Sequence, residues 1–255
     1  MAEKAILIDT SKCIACKGCQ IACKQWNLLD AGTPEFFVGT DGYQNPTDLS
    51  DHTYNLIEFR LTKKENDDPD WYPEWLFRKK QCMHCTEAAC LLSCPQETIK
   101  RADNGFVYID RSDCIGCGTC VAVCPFGIPK LSEEPASDGF KKSYKCWGCQ
   151  DRIEKGVEPA CVKTCPPDAA VYGDRSDMVA LAQARQSELV ANGKAEASVY
   201  GIDELGGLHY IYVLLKEPSF YELPDLSTTI SSSRRAYLRY MKELGKQFLK
   251  KVSSL

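Results

Sequence analysis

Sixteen cysteines are the unusual feature of this chain of 255 residues. They fall into four groups of four, and every group begins with a C-x2-C pair and ends with a C-x3-C pair. The groups are Cys13, Cys16, Cys19 and Cys23; Cys82, Cys85, Cys90 and Cys94; Cys114, Cys117, Cys120 and Cys124; and Cys146, Cys149, Cys161 and Cys165. Cysteine thiolates bind soft metal ions and iron–sulfur clusters, so the repeated motif predicts four related metal centres.

The spacing favours cubane [4Fe-4S] clusters. A C-x2-C-x2-C run supplies three thiolates to one cluster, and a fourth cysteine three residues on ligates the other cluster of a pair. A proline follows the last cysteine of every group but the first and suits the first position of a helix. Zinc sites use paired C-x2-C units closed at four ligands, which leaves the x3 step unexplained. We therefore predict four [4Fe-4S] clusters held by all sixteen cysteines.

The spacing alone leaves the pairing of the groups open. The interval from Cys94 to Cys114 is similar in length to that from Cys124 to Cys146, and either would suit a two-cluster ferredoxin. Both nested and sequential pairing remain possible at this point.

Charge and hydropathy exclude several classes of protein. The formal net charge is −4, from 31 basic and 35 acidic residues, so there is no overall basic surface for nucleic acid. A membrane-spanning helix needs about 20 mostly apolar residues, and none is expected here. The residues before Cys13 leave no room for a signal-peptide apolar region, so we expect no targeting signal of the chain's own and no secreted disulfide scaffold. Several lysines flank the motifs and could offset cluster charge, although solvated surface lysines explain each of them equally well: Lys17, Lys24, Lys79, Lys80, Lys145 and Lys163.

No set of residues that could act as acid, base or nucleophile is visible. The three histidines are scattered, and there is no phosphate-binding loop, nucleophile elbow or HExxH motif. His84 lies between Cys82 and Cys85 and is predicted to donate a hydrogen bond near a cluster instead of ligating it. The chain is thus predicted to be non-catalytic, with the chemistry in a partner.

The secondary structure predicted from the sequence is sparse and mixed, which gives an α+β fold class. Period-2 patterns and β-branched residues predict strands at Tyr54–Leu61, Gly105–Ile109 and His209–Leu215. One helix is predicted over Ser176–Asn192, with Ser176 as its N-cap. Along one side of this helix are predicted to lie Met178, Leu181, Ala182, Arg185 and Leu189. Residues 28–50 are predicted to form a long loop and residues 63–70 a charged turn.

Several segments resemble the iron–sulfur (beta) subunits of formate dehydrogenases, over residues 4 to about 224. The matching segments are Thr10–Trp26, Tyr43–Pro46, Gln81–Cys85, Cys114–Cys120, Pro159–Pro167 and Pro218–Pro224. The cysteine pattern itself is shared by the wider four-cluster subunits of molybdopterin oxidoreductases. The Ala22–Trp26 segment and Gln44–Pro46 are what indicate formate.

The resemblance implies two nested ferredoxin-like modules with small hairpins and short helices. Residues 1–75 and 140–225 would hold clusters 1 and 2, and the inserted residues 76–139 would hold clusters 3 and 4. The ligand sets it implies are Cys13, Cys16, Cys19 and Cys165 for cluster 1; Cys23, Cys146, Cys149 and Cys161 for cluster 2; Cys82, Cys85, Cys90 and Cys124 for cluster 3; and Cys94, Cys114, Cys117 and Cys120 for cluster 4. Cluster 1 would lie beside the catalytic subunit and cluster 4 at the far end.

The resemblance also implies partners, with two alternatives kept. The partner would be a catalytic subunit with a molybdenum or tungsten bis-pterin cofactor, and a cytochrome or other acceptor would take the electrons, as in anaerobic respiration. One alternative is the same role in a polysulfide, sulfoxide or similar reductase; the other is a free polyferredoxin. The location would be the periplasm, by co-export with the partner, or the cytoplasm. Membrane-bound relatives carry a C-terminal transmembrane helix that this chain is expected to lack.

Residues 226–255 are predicted to form a polar linker and a basic amphipathic helix, Ser233–Val252. Its apolar residues recur at helical spacing: Tyr237, Met241, Leu244, Phe248 and Val252. Three functions fit this pattern, namely docking onto the partner subunit, packing on its own domain and binding a membrane surface. We expect docking.

Overall fold

A computed structural model describes residues 2–32, 43–61, 74–226 and 242 of the chain. The predicted charged turn and the predicted C-terminal helix lie outside the described residues, except for Lys242. Within the described ranges, no helix is long and apolar enough to cross a bilayer.

The predicted α+β class is confirmed by short strands in small sheets and mostly short helices. The strands are β1 Lys4–Asp9, β2 Asn55–Leu61, β3 Trp75–Gln81, β4 Ile99–Arg101, β5 Val107–Ile109, β6 Lys130–Leu131, β7 Ser143–Tyr144, β8 Ala170–Asp174, β9 Ser198–Tyr200 and β10 Tyr210–Leu214. The helices are α1 Gly18–Trp26, α2 Ala89–Ser93, α3 Thr119–Ala122, α4 Gln150–Ile153, α5 Ala160–Lys163 and α6 Arg175–Ala191. The three strands predicted from the sequence are confirmed as β2, β5 and β10.

A four-stranded sheet in the order β8-β1-β10-β9 connects the two ends of the cysteine-rich region. Strand β1 pairs in parallel with β10 and antiparallel with β8, so Ile6 lies between Tyr210 and Tyr172. Alternate residues of β1 enter different cores because successive side chains of a strand point to opposite faces. Ile6 and Ile8 pack in the core that contains Cys161, while Ala5 and Leu7 pack with α6.

Helix α6 covers the face of this sheet that is remote from the cysteines. Of the residues predicted to lie along one side of this helix, Met178, Ala182 and Leu189 are buried, whereas Leu181 is 44% exposed. The prediction of Ser176 as N-cap is wrong, because β8 runs directly into the helix and the N-cap is Asp174. That carboxylate accepts a hydrogen bond from Lys4 Nζ at 2.6 Å, so it fixes the start of the helix to β1 without capping its N–H groups.

Among the described residues, the sheet is accompanied by three two-stranded antiparallel hairpins: β2–β3, β4–β5 and β6–β7. The β2–β3 hairpin pairs Asn55 with Gln81 and Leu61 with Trp75, so it extends across the predicted module boundary at residues 75 and 76. Within the described part of residues 28–50 there is no helix or extended strand, in line with the predicted loop.

Candidate iron–sulfur cluster sites

Two pairs of packed helices position most of the cysteines. Helix α1 packs against α5, and helix α2 packs against α3. Each of these short helices carries the third cysteine of a motif, and the fourth cysteine lies four positions further along the chain. One turn of helix separates the two sulfurs, so they lie at different ends of the packed pair.

The first set of neighbouring sulfurs combines the first and fourth motifs. Burial raises the pKa of the Cys13 thiol, and Cys165 and Cys16 raise it further as neighbouring charges. Burial likewise raises the pKa of Cys19 to about 12, with contributions from Cys13 and Cys16. Cys165 of the fourth motif is therefore a neighbour of Cys13, and we call Cys13, Cys16, Cys19 and Cys165 the first set.

The second set also combines the first and fourth motifs, but here three cysteines come from the fourth motif and one comes from the first. Burial raises the pKa of the Cys23 thiol well above its usual range, and Cys146, Cys161 and Cys149 add to the effect. Cys23 ends the first motif, while the other three begin the fourth. The grouping is therefore reciprocal with that of the first set.

The third and fourth sets each surround a cavity. One cavity is lined by Cys82, Cys85, Cys90 and Cys124, together with His84 and Lys145. Another is lined by Cys94, Cys114, Cys117 and Cys120. In both cavities three cysteines come from one motif, and the remaining one is the fourth cysteine of the other motif: Cys124 in the first cavity and Cys94 in the second.

The sets follow one another through the molecule. Cys161 of the second set raises the pKa of Cys19 in the first. Cys82 of the third set raises the pKa of Cys146 in the second. Cys120 of the fourth set raises the pKa of Cys90 in the third. The sets are thus neighbours in the order first, second, third, fourth.

The loops around the sulfurs depend on left-handed backbone conformations. Gly116 and Gly118 have φ values of +65° and +76° within the third motif. A Cβ at Gly116 would overlap the carbonyl oxygen of Lys141, so this position requires glycine on both conformational and steric grounds.

Hydroxyl and amide groups lie beside several sulfurs, and the sequence analysis did not identify them. Thr98 Oγ1 is 3.4 Å from Cys94 Sγ, and Ser143 Oγ is 3.2 Å from Cys120 Sγ. Thr119 Oγ1 is 3.4 Å from Cys117 Sγ, and Asn27 Nδ2 is 3.6 Å from Cys23 Sγ. Hydrogen bonds to sulfur tune the potential of iron–sulfur clusters. Of these groups, Thr98 could have been suspected from the sequence, because it lies only four positions after Cys94.

Two of the six lysines noted in the sequence are buried at the sets. Burial alone would lower the pKa of Lys79, yet Cys161, Cys19 and Cys146 together raise it above its usual value. Lys145 Nζ donates to the Val107 carbonyl and, at 3.0 Å, to that of Cys146. A third buried lysine, Lys142, donates to the Cys114 carbonyl at 2.7 Å and pairs with Asp138. Positive charge therefore lies in the interior beside every set.

His84 is buried between the second and third sets. Its ring stacks on Tyr210, with the centroids 5.7 Å apart, and meets Phe106 edge-on at 4.8 Å. Burial, reinforced by Lys145 and His209, holds the pKa of His84 well below its usual range. Tyr210 Oη lies 4.0 Å from both Cys146 Sγ and Cys161 Sγ.

The donor set fits [4Fe-4S] clusters. Each set offers four thiolates, as a cubane requires. Over residues 2–32, 43–61 and 74–226, no group of three or more His, Cys, Asp or Glu side chains is arranged to hold a single metal ion. The cysteines of a set are instead spread around a volume, with buried ammonium groups and hydroxyl donors nearby to offset negative charge.

Comparison with known proteins agrees with this chemistry. The family model of the 4Fe-4S dicluster domain matches residues 73–175. The nitrate-inducible formate dehydrogenase iron–sulfur subunit of Escherichia coli is 41% identical over 237 residues, which is 90% of this chain and 76% of the relative. The formate dehydrogenase beta subunit of Megalodesulfovibrio gigas is 31% identical over 229 residues, covering 86% of this chain and 97% of the relative. Formate dehydrogenase 2 subunit beta (cytochrome c-553) of Nitratidesulfovibrio vulgaris is 32% identical over 226 residues, or 86% and 96% of the two chains.

The fold and the cysteine sites define a ferredoxin-like electron-transfer protein that binds [4Fe-4S] clusters. Within that class, the chain belongs to the family of formate dehydrogenase iron–sulfur subunits. It is an electron-transfer subunit and not a catalytic one, as predicted from its sequence.

Proposed function

We propose that the chain binds four [4Fe-4S] clusters, one in each cysteine set, with the nested pairing that the resemblance implied. The observation that carries the proposal is that all sixteen cysteines fall into four sets, each with members from two motifs. Reciprocal exchange of the fourth cysteine is the arrangement of two-cluster ferredoxins. The proposal keeps two modules, residues 1–75 and 140–225 for clusters 1 and 2 and residues 76–139 for clusters 3 and 4, joined by the β2–β3 hairpin that crosses their boundary.

We propose that electrons pass through the sets in their spatial order. Each bound cluster accepts and releases one electron at a time, which divides a two-electron oxidation into single steps. The neighbouring pairs Cys19–Cys161, Cys146–Cys82 and Cys90–Cys120 mark the three transfers between sets. The polypeptide contributes by burying the sulfurs, placing ammonium groups beside them and supplying hydrogen-bond donors.

The partner in this proposal is a catalytic subunit that oxidises or reduces formate at a molybdenum or tungsten bis-pterin cofactor. The names of the relatives support formate as the substrate of the complex. The acceptor at the other end would be a cytochrome or another electron carrier, a role supported by the name of the Nitratidesulfovibrio relative. The location of the complex in this proposal is the periplasm, by co-export with the catalytic subunit, or the cytoplasm.

Anaerobic purification of the native complex tests these points together. The chain should contain about 16 iron atoms and about 16 acid-labile sulfides, four of each per cubane. The complex should reduce a dye with formate, and the chain freed from the pterin subunit should not. Zinc in place of iron would contradict the clusters, and activity with polysulfide or a sulfoxide in place of formate would contradict the substrate. A chain that purifies without a large subunit would be a free carrier instead.

A further inference from the structure

His84 has one ring nitrogen with a partner and one without. The backbone N–H of Val107 donates to Nδ1 at 2.9 Å. A nitrogen that accepts a hydrogen bond carries no proton, so the proton of the His84 ring is on Nε2. This tautomer is fixed by the backbone of β5 and makes Nε2 a hydrogen-bond donor.

The Nε2–H of His84 is buried without an acceptor among the described residues. The side chain is fully buried, and a buried donor left unsatisfied is costly enough to be rare in native proteins. An acceptor outside the described residues would satisfy it. His84 lines the cavity surrounded by Cys82, Cys85, Cys90 and Cys124, where sulfur would be the acceptor.

We propose that His84 Nε2–H donates a hydrogen bond to a sulfur of the cluster held by Cys82, Cys85, Cys90 and Cys124. This inference rests on the proposed function, which places a cluster in that cavity. Stacking on Tyr210 and edge contact with Phe106 fix the plane of the ring, and the Val107 amide fixes its rotation. The ring cannot turn Nε2 elsewhere without losing these three contacts.

The position of His84 gives the hydrogen bond a role in electron transfer. The ring stacks on Tyr210, whose hydroxyl lies beside Cys146 and Cys161 of the second set. His84 thus lies at the step between the two proposed modules. A donor to sulfur stabilises the reduced cluster, which is the more negative state, and so raises its reduction potential.

Pulsed EPR of the reduced native complex with ¹⁵N-labelled histidine tests the contact directly. We expect a weak ¹⁵N coupling at one cluster, and that cluster should be the one whose signal Cys90→Ser alters. The substitution His84→Asn should abolish the coupling, since the shorter amide keeps a polar partner for the Val107 N–H but does not reach the Nε2 position. Its cluster should become about tenfold harder to reduce, or about 59 mV lower for one electron.

His84→Gln is the matched variant, because its longer amide places a donor near the Nε2 position. It should keep the potential close to that of the native protein, whereas a purely structural role would be disturbed by both variants alike. His52→Gln is the control, since the His52 side chain is 42% exposed. It should change neither the coupling nor the potential.

Two results would overturn the inference. One is a labelled native complex with full iron content and no ¹⁵N coupling at the Cys90-dependent cluster. The other is an equal shift of potential in His84→Asn and His84→Gln. Neither result would contradict the proposed binding of four clusters, which iron analysis tests separately. If His84→Asn fails to assemble its clusters, the labelled native complex still gives the answer.

Discussion

Lys79 is an ammonium group in the protein interior with no carboxylate partner at ion-pair distance among the described residues. It is 4% exposed; its Nζ donates to Gln81 Oε1 at 3.1 Å and lies 5.2 Å from the Tyr210 ring centroid. Removing a charge from water costs several kcal/mol unless an opposite charge compensates. The sulfurs of Cys161, Cys19 and Cys146 raise its pKa and are the compensating charges. The charge of Lys79 therefore interacts with sulfurs of both the first and the second set.

Replacing Lys79 with methionine should make the clusters of these two sets harder to reduce. The substitution removes the positive charge and keeps much of the length of the side chain. We expect about a tenfold shift in each reduction equilibrium, or about 59 mV for one electron, measured by potentiometric EPR titration. Lys80→Met is the matched control, because Lys80 pairs with Asp48 at 2.9 Å. Unchanged potentials in Lys79→Met, or the same shift in both variants, would contradict this assignment.

At the residue scale, the sequence identified the cysteines but few of the groups around them. Sixteen residues of one rare type at fixed spacing are visible without a fold. Ser143 and Tyr210 are ordinary residue types that reach Cys120 and Cys146 from 23 and 64 positions away. The sequence pattern also did not separate the buried Lys79 from Lys80, since strand alternation alone does not say which side faces sulfur.

At the scale of elements, the helix pairs α1–α5 and α2–α3 explain why the fourth cysteine of a motif leaves its own set. The x3 step places it about one helical turn beyond the third cysteine. At that distance the sulfur lies beside cysteines that begin the other motif of the pair. Cys165, two residues after helix α5, thus lies beside Cys13, while Cys161 within α5 raises the pKa of Cys23.

Cys165→Ser should therefore perturb the cluster of Cys13, Cys16 and Cys19. The variant should alter the same EPR signal as Cys13→Ser and leave the signal altered by Cys146→Ser intact. Cys161→Ser is the matched control, four positions away, and should alter the Cys146 signal instead. Damage from Cys165→Ser confined to the Cys146 signal would show that the nested pairing is wrong.

The sequence predicted single elements better than the contacts between them. Strands β2, β5 and β10 follow from period-2 patterns that are local. The sheet order β8-β1-β10-β9 joins Ile6 to Tyr210 across some two hundred positions, and no local pattern specifies such a partner. The predicted N-cap failed for the same reason, since the start of α6 is set by the contact between Asp174 and Lys4 of β1.

At the scale of the whole molecule, the sheet and the cysteine sets depend on each other. Strands β1 and β8 lead to the first motif and away from the fourth, so their pairing brings Cys13 and Cys165 together. Spacing left nested and sequential pairing open because it contains no information on this contact. The spatial order of the four sets likewise depends on contacts between distant segments, so the sequence alone does not predict it.

The basic segment predicted at Ser233–Val252 lies outside the described residues except for Lys242, whose Nζ is 2.8 Å from Glu97 Oε1. Glu97 is 65% exposed in that pair, and an exposed ion pair contributes less than about 1 kcal/mol. Docking of the segment onto the catalytic subunit stays a prediction.

A chain that ends at Ser227 should keep its iron content and visible spectrum but associate more weakly with the catalytic subunit. The physical reason is that its apolar stripe and seven basic residues, Arg234, Arg235, Arg239, Lys242, Lys246, Lys250 and Lys251, would be removed from the interface while every cysteine remains. Iron assay and size-exclusion chromatography with the partner are the measurements, and Lys242→Gln in the full chain tests the Glu97 pair separately. Loss of clusters on truncation would show that the helix packs on its own domain. Unchanged clusters with unchanged association would contradict docking, and binding of the full chain, but not the truncated one, to anionic liposomes would then assign the segment to a membrane surface.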